Sequence, residues 1–290
     1  MKITVRSPAT SANLGSAFDC AGIAFALYNE LSFALSERTE ISGCEEKYAN
    51  ENNLACSAFK AVCDKVNVKT GVKIEFLKTD IPIARGLGSS ASLITAGAVA
   101  ANALTGNTLG KDELLKICAI TEGHPDNVAP ALFGGLCVSL LTEEKVFCVS
   151  SKPSEKIKFT AVIPDFAVKT QDARKALPSG VPFKDAVFNV SRAALALKAF
   201  ESGDTDMIKA VADDRLHQRY RTPLYKNADE VICLAYSVGA DCYFVSGAGP
   251  TFVFISEKDI AEDLNGKLYG VKNGWKALSL APDFTGTSVV

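Results

Sequence analysis

Short stretches of alternating apolar and polar residues recur along the chain, and each predicts a β-strand. They lie at residues 3–6, 28–35, 72–77, 157–163, 242–245, 252–255 and 275–280. Between them, apolar residues at helical spacing predict helices at residues 52–66, 90–104, 112–122, 185–200, 204–216, 228–238 and 260–268. This order indicates an α+β chain. The second half contains one hairpin and predicts a split βαβ layer with helices on one face.

The turn between the third predicted strand and the second predicted helix is rich in glycine and serine. Gly86 and Gly88 allow close approach of the backbone and a positive φ. Ser89, Ser90 and Ser92 place hydroxyls at the positive end of the helix dipole. Such a turn favours a bound phosphate, although a tight turn capped by serines explains the same residues. Neither GxxxxGK[ST] nor GxGxxG is present.

Composition narrows the classes of function. The chain of 290 residues is long enough for one large domain or two modest ones, and 48% hydrophobic residues can form a substantial core. A net charge of -2 gives no basic surface and argues against nucleic acid as a partner, and no apolar run is long enough to cross a membrane. Nine scattered cysteines without a CxxC pair predict reduced thiols in a cytoplasmic protein. A polar break at residues 150–154 predicts two domains, 1–150 and 155–290.

Several polar residues have both a structural and a functional explanation. Asn13 lies in a loop of small residues at 7–15, and Asp19 lies between apolar neighbours in the run that follows at 18–24. Both could simply form turns. Asn53 precedes a predicted helix and could be its N-cap. Glu122 lies in the last turn of a helix, where the dipole disfavours an anion, and could be a solvated surface residue.

Four strings resemble a known family. The turn at residues 82–92 reads PxxxGLGSSAS and resembles the phosphate loop of the GHMP small-molecule kinases. PATSANLGSAFDCAGIA at 8–24 and EGHPDNVAPALFGG at 122–135 resemble the two signatures of its homoserine kinase branch, and SGAGPT at 246–251 resembles the third GHMP motif. The chain departs from the usual pattern at Ser16-Ala17, where Pro-Gly is common, and at Arg219, where Pro is common.

The resemblance implies a fold, an activity and partners. The fold would pair an N-terminal domain like domain 2 of ribosomal protein S5 with a ferredoxin-like C-terminal α/β sandwich. The activity would be ATP-dependent phosphorylation of the L-homoserine side-chain hydroxyl on the route to threonine, with Mg²⁺, in a cytoplasmic homodimer. The rival functions are a GHMP kinase for another alcohol such as shikimate, a dinucleotide-dependent oxidoreductase and a nucleotide-binding regulator without catalysis.

The resemblance also implies roles for individual residues. Nucleotide would be bound by Pro82, Ile83, Ala84, Arg85, Gly86, Leu87, Gly88, Ser89, Ser90, Ala91 and Ser92, with Asn53 near the base. Mg²⁺ would be held by Ser90 and Glu122. Substrate would be bound by Asn13, Asp19, His124, Thr170, Arg174, Arg221, Gly247 and Gly249. In that pocket Asp19 would pair with the ammonium, and Arg174 and Arg221 with the carboxylate.

Two residues compete for a role in activating the acceptor. Asn127 is favoured to orient the hydroxyl, because phosphoryl transfer depends mostly on positioning and charge stabilisation. Asp126 is the alternative, as a general base. The replacement of Pro by Arg219 leaves open which nearby arginine reaches the substrate.

Overall fold

The computed structural model describes residues 1–290, which form two β-sheets and ten α-helices. The strands are β1 (Lys2–Ala12), β2 (Ala21–Ser36), β3 (Glu40–Ser42), β4 (Gly71–Thr79), β5 (Leu136–Leu141), β6 (Val146–Ser151), β7 (Lys158–Ile163), β8 (Cys242–Val245), β9 (Phe252–Ser256), β10 (Lys276–Leu280) and β11 (Ser288–Val289). The helices are α1 (Leu54–Lys65), α2 (Ser89–Leu104), α3 (Lys111–Glu122), α4 (Val128–Phe133), α5 (Thr170–Lys175), α6 (Phe183–Ser202), α7 (Thr205–Ala212), α8 (Gln218–Arg221), α9 (Ala228–Ser237) and α10 (Ala261–Leu268).

The first sheet is built around the long strand β2. One edge of β2 pairs antiparallel with β1, and the other edge pairs with β5 near its start and with β4 along the rest. The sheet is extended by β11 beside β1, by β3 parallel to β4, and by β6 beside β5. The final strand therefore lies in the first sheet, although residues 155–290 are predicted as a second domain.

Helix α2 is buried against this sheet, as its run of small residues predicts. A Cβ atom on Gly97 would come within 2.0 Å of the Ala55 carbonyl oxygen, so α1 and α2 pack backbone to backbone. On the other side, Thr95 contacts β1, where its hydroxyl lies 2.9 Å from that of Ser7. The helix therefore approaches the sheet closely, and its N-terminus is held in a fixed direction.

Strand β1 is longer than the pattern predicts. Residues 7–12 are predicted as loop because they are small and include Pro8, yet they are buried and continue β1 past a bulge between Pro8 and Ala9. The small side chains leave room for α2 above the strand. The prediction was wrong because small residues that serve close packing resemble the composition of a loop.

The second sheet has the order β10-β7-β9-β8, with antiparallel neighbours throughout. Helices cover both of its faces, which corrects the prediction of helices on one face. Cys242 and Phe244 lie in a core with α6 and α7, whereas Val245 and Phe252 lie in a core with α9 and α10. Since these strands are apolar on both sides, each face needs its own cover.

The two sheets share one apolar core. Ala9 and Phe25 of the first sheet belong to the same cluster as Phe159 and Phe244 of the second. The predicted boundary at residues 150–154 lies between β6 and β7. No helix is both long and apolar enough to cross a membrane.

Candidate active site

A cleft between the two sheets gathers most of the predicted site residues. Its lining comes from the loop after β1, the turn before α2, the segment after α3, α5 with the residues before it, Arg221 and the loop between β8 and β9. The predicted residues that line it are Asn13, Asp19, Pro82, Ala84, Gly86, Gly88, Ser89, Ser90, Glu122, His124, Asp126, Asn127, Thr170, Arg174, Arg221, Gly247 and Gly249. Val168 and Ala248 line it as well.

Five residues of the predicted phosphate loop do not line the cleft. Leu87 and Ala91 are buried in the core, while Ile83 is exposed. Ser92 is buried and accepts a hydrogen bond from the side chain of Asn29 at 3.2 Å. Arg85 reaches away, and its Nε donates to the carbonyl of Pro164 at 3.0 Å. Leu87, Ala91, Ser92 and Arg85 therefore anchor the loop to the rest of the fold.

Asn53 lies outside the cleft as well. Its side-chain oxygen accepts the backbone N–H of Ala55 at 3.0 Å, and its amide donates to the carbonyl of Tyr48 at 2.9 Å. Asn53 is thus the N-cap of α1, the structural alternative that its sequence context also allows.

The glycines of the phosphate loop occupy positions that only glycine fits. Gly86 and Gly88 have φ of 80° and 69°. A Cβ atom on Gly88 would lie 1.9 Å from the hydroxyl oxygen of Thr10, and one on Gly86 would lie 2.3 Å from the carbonyl oxygen of Ser246. The loop is therefore pressed between β1 and the β8–β9 loop, with Ser89 and Ser90 at the start of α2 beside the cleft.

Glu122 is paired with the loop through Ser90. The Ser90 hydroxyl donates to Glu122 Oε2 at 2.5 Å. Burial raises the pKa of Glu122, and the negative charge of Asp126 raises it further. The hydrogen bond from Ser90 and the charge of His124 oppose this rise but do not cancel it. A half-buried carboxylate next to a hydroxyl and a phosphate loop fits Mg²⁺, which takes one or two carboxylates and completes its shell with phosphate oxygens and water. The residues present therefore fit the predicted metal.

The segment after α3 forms a connected polar group. Nδ1 of His124 is hydrogen-bonded to Oδ1 of Asp126, an interaction that raises the pKa of His124. The Asn127 amide donates to the same oxygen at 3.4 Å, and the Thr10 hydroxyl donates to Asn127 Oδ1 at 2.8 Å. Thr10 thus fixes which way the Asn127 amide points. No role is predicted for Thr10 from the sequence, because nothing in the sequence shows that β1 passes beside residue 127.

Asp19 and Arg174 form a bidentate ion pair across 155 residues of sequence. Nη1 and Nη2 of Arg174 donate to the two carboxylate oxygens of Asp19, each at 3.0 Å. Asn13 supports the pair, since its Oδ1 accepts the backbone N–H of Asp19 at 3.0 Å and its amide donates to the Gly247 carbonyl at 2.8 Å.

Arg221 is the second arginine of the cleft. It is 2% exposed, and Nη1 donates to the Gly247 carbonyl at 2.8 Å while Nε has no partner. Burial lowers the pKa of Arg221. Arg219 points elsewhere, with Nη2 2.7 Å from Oδ2 of Asp185. Of these two arginines, Arg221 lines the cleft and Arg219 does not.

The cleft thus has two chemically distinct halves. One half offers a glycine-rich loop, a helix N-terminus and the Ser90–Glu122 pair, which suit a phosphate with its counter-ion. The other half offers one carboxylate and two guanidinium groups, which suit a small molecule with both an ammonium and a carboxylate.

Comparison with known proteins identifies the class of protein. Residues 53–135 match the model of the GHMP kinases N terminal domain, and residues 196–268 match that of the GHMP kinases C terminal domain. A mevalonate kinase structure shares the fold, with a TM-score of 0.69 at 15% identity over 97% of this chain and 99% of its own. Fold and phosphate loop are thus those of a GHMP kinase.

Closer relatives identify the branch. The chain is 42% identical to a homoserine kinase of Clostridium botulinum, over 99% of this chain and 98% of that protein. It is 41% identical to the homoserine kinase of Clostridium beijerinckii with the same coverage. The crystal structure of homoserine kinase from Cytophaga hutchinsonii matches with a TM-score of 0.89 at 26% identity, over 100% of this chain and 97% of that one. This chain therefore belongs to the homoserine kinase family of GHMP kinases.

Proposed function

We propose that the cleft transfers the γ-phosphoryl group of ATP to the side-chain hydroxyl of L-homoserine, giving ADP and O-phospho-L-homoserine. One observation carries this proposal: the phosphate loop and the pocket with Asp19, Arg174 and Arg221 line the same cleft. A donor phosphate and a zwitterionic acceptor would then meet between them.

The nucleotide half would bind the β- and γ-phosphates. Backbone amides of residues 86–90 and the hydroxyls of Ser89 and Ser90 would donate to phosphate oxygens at the positive end of α2. Ser90 and Glu122 would hold Mg²⁺, which when bound neutralises charge on the phosphates. The geometry of the Ser90–Glu122 pair supports this assignment, because both side chains face the cleft within 2.5 Å of each other.

The acceptor half would bind the amino-acid end of the substrate. Asp19 would pair with the ammonium, and Arg174 and Arg221 with the carboxylate. In the structure, Asp19 and Arg174 pair with each other. A zwitterion can replace that pair without leaving a charge unpaired, since its ammonium faces Asp19 and its carboxylate faces Arg174. Asn13, His124, Thr170, Gly247 and Gly249 would complete the pocket.

Asn127 would orient the hydroxyl for attack. Its Oδ1 already accepts from Thr10, and its amide lies beside Asp126. Asp126 is 2% exposed, and its Oδ1 is occupied by His124 and Asn127, which disfavours it as a general base. A strong base is not required in a loose phosphoryl-transfer transition state. As the hydroxyl oxygen forms the new P–O bond, the bond between the γ-phosphorus and the oxygen that bridges it to the β-phosphate breaks and ADP leaves, while the hydroxyl proton passes to an oxygen of the transferred phosphoryl group.

ADP release with different alcohols tests the proposal. The purified chain is assayed with ATP and Mg²⁺ against L-homoserine, L-serine, L-threonine and shikimate. L-Homoserine should give by far the highest kcat/KM, because shikimate lacks the ammonium that Asp19 would bind and the hydroxyls of L-serine and L-threonine lie one carbon nearer the carboxylate. A preference for shikimate, or no ATP-dependent turnover with any of these alcohols, would overturn the proposal.

The predicted homodimer also belongs to this proposal. It is supported by an apolar stripe on α6, where Phe183, Val187 and Val190 are 85%, 53% and 69% exposed. Light scattering coupled to gel filtration should give twice the chain mass of 30.7 kDa, and a mass of one chain would contradict it. The cytoplasmic location and the absence of a nucleic-acid partner stay predictions from the sequence.

A further inference from the structure

The ring of Phe18 lies between the two arginines of the acceptor half. Its centroid is 5.1 Å from Cζ of Arg221 and 5.9 Å from Cζ of Arg174. The imidazole of His217 stacks on it, with 4.9 Å between centroids and 19° between the ring planes. One aromatic side chain therefore contacts both guanidinium groups and a buried histidine, and the mechanism above uses neither ring.

The hydrogen bonds of His217 define its tautomer. Its Nε2 lies 2.8 Å from the carbonyl oxygen of Gly15, which can only accept, so Nε2 carries the proton. Nδ1 is then an acceptor and lies 3.4 Å from Nη1 of Arg221. Burial lowers the pKa of His217, and the charge of Arg221 lowers it further. The carboxylates of Asp214 and Asp19 partly offset this shift. The neutral imidazole thus presents a lone pair to the arginine.

Phe18 and His217 are each fixed by their own part of the chain. The loop that carries Phe18 packs on α7, since a Cβ atom on Gly15 would meet Ala212 Cα at 2.5 Å. His217 is held by Asp214, whose Oδ2 accepts the backbone N–H of His217 at 2.8 Å. Contacts of the protein itself therefore hold the two rings against each other.

We propose that Phe18 and His217 are positioning residues that hold the guanidinium groups of Arg174 and Arg221 in place for the substrate carboxylate. Two like charges that converge on one pocket repel each other, and the electron-rich face of an aromatic ring stabilises each nearby cation. His217 supplies an acceptor to Nη1 of Arg221 at 3.4 Å. The inference rests on the proposed function, because the carboxylate is that of L-homoserine.

Two substitutions of Phe18 separate the ring from its bulk. Phe18→Leu keeps an apolar side chain but removes the aromatic face, and Phe18→Tyr keeps the face. With the full-length enzyme, Phe18→Leu should raise the KM for L-homoserine about tenfold and leave the KM for ATP within about twofold. Phe18→Tyr should stay within about threefold of the wild type for both substrates.

A substrate without the carboxylate distinguishes positioning from general damage to the fold. In 2-aminobutane-1,4-diol a hydroxymethyl group replaces the carboxylate of L-homoserine. The ratio of kcat/KM between wild type and Phe18→Leu should therefore fall to about one with the diol. His217→Gln provides a second variant, since glutamine can still donate to the Gly15 carbonyl but lacks Nδ1 and the ring. It should show the same selective loss with L-homoserine.

Each result decides between the two proposals. Equal losses with L-homoserine and the diol, an equal rise in the KM for ATP, or wild-type kinetics in both Phe18→Leu and His217→Gln would overturn the positioning role and leave the proposed function intact. Absence of wild-type turnover with L-homoserine would instead overturn the proposed function, and the positioning role with it.

Discussion

Replacing Arg221 with lysine separates the geometry of the proposed carboxylate contact from its charge. Arg221 is 2% exposed and donates Nη1 to the Gly247 carbonyl at 2.8 Å, so its remaining nitrogens would serve the ligand. Lysine keeps the charge but lacks the planar fork that matches a carboxylate. The loss is then one charge-assisted hydrogen bond, about 1.5–3 kcal/mol. We therefore expect kcat/KM for L-homoserine to fall about 10- to 150-fold.

Arg219→Lys is the matched control. Arg219 is only two residues away, but its side chain is 42% exposed and pairs with Asp185 rather than facing the cleft. Because neither Arg219 nor Asp185 lines the cleft, kcat/KM should stay within about fivefold of the wild type.

ADP release coupled to NADH oxidation measures both arginine variants. L-Homoserine is varied at saturating ATP, and ATP is then varied at saturating L-homoserine. The KM for ATP should not change in either variant, because Arg221 lies in the acceptor half. Equal losses in the two variants, or a parallel rise in both KM values for Arg221→Lys, would refute the assignment of Arg221 to the carboxylate.

Three further predictions concern single contacts. Glu122→Gln should lower kcat about 100-fold or more and weaken the dependence of the rate on Mg²⁺. Asp126→Asn should retain activity within about tenfold of the wild type, which is a smaller loss than removal of a general base causes. Steady-state kinetics at a series of Mg²⁺ concentrations measures both variants. The free energy of unfolding should fall as the pH drops below about 6.5, because the pKa of His217 is lowered in the folded state and the unfolded chain therefore binds a proton at His217 more readily. Chemical denaturation at several pH values measures this fall, which should be smaller for His217→Gln. Gly88→Ala should lower the free energy of unfolding in urea by about 1–3 kcal/mol, because residue 88 has a φ of 69° and the new Cβ would lie 1.9 Å from the Thr10 hydroxyl oxygen. Gly180→Ala is the control and should lower it by about 0.5 kcal/mol or less, because the new Cβ would have no atom within 4 Å.

Local signals in the sequence predict most of the elements. Helix α3 ends at Gly123, which has the left-handed conformation expected of a C-cap, and Asn53 caps α1. Capping depends on residues adjacent in sequence, so it is visible without a fold. The length of β1 was not predicted, because residues 7–12 form a strand only through pairing with β2 and packing under α2.

The sequence predicted which residues belong to the candidate site, but it did not predict the contacts between them. Resemblance to a family brought Asp19 and Arg174 into one pocket, but only the fold shows that they form an ion pair with each other. Likewise, two arginines near position 220 look alike in sequence, and burial alone separates Arg221 from Arg219. Phe18 gave no signal, because an aromatic residue in a loop becomes informative only when its neighbours in space are known.

The most direct test of the account follows the phosphoryl group itself. The chain is incubated with L-homoserine, Mg²⁺ and ATP labelled in the γ-phosphate, and the products are separated. The account predicts that the label appears in O-phospho-L-homoserine in proportion to the ADP formed. Label found only in inorganic phosphate, or retained in ATP, would contradict it.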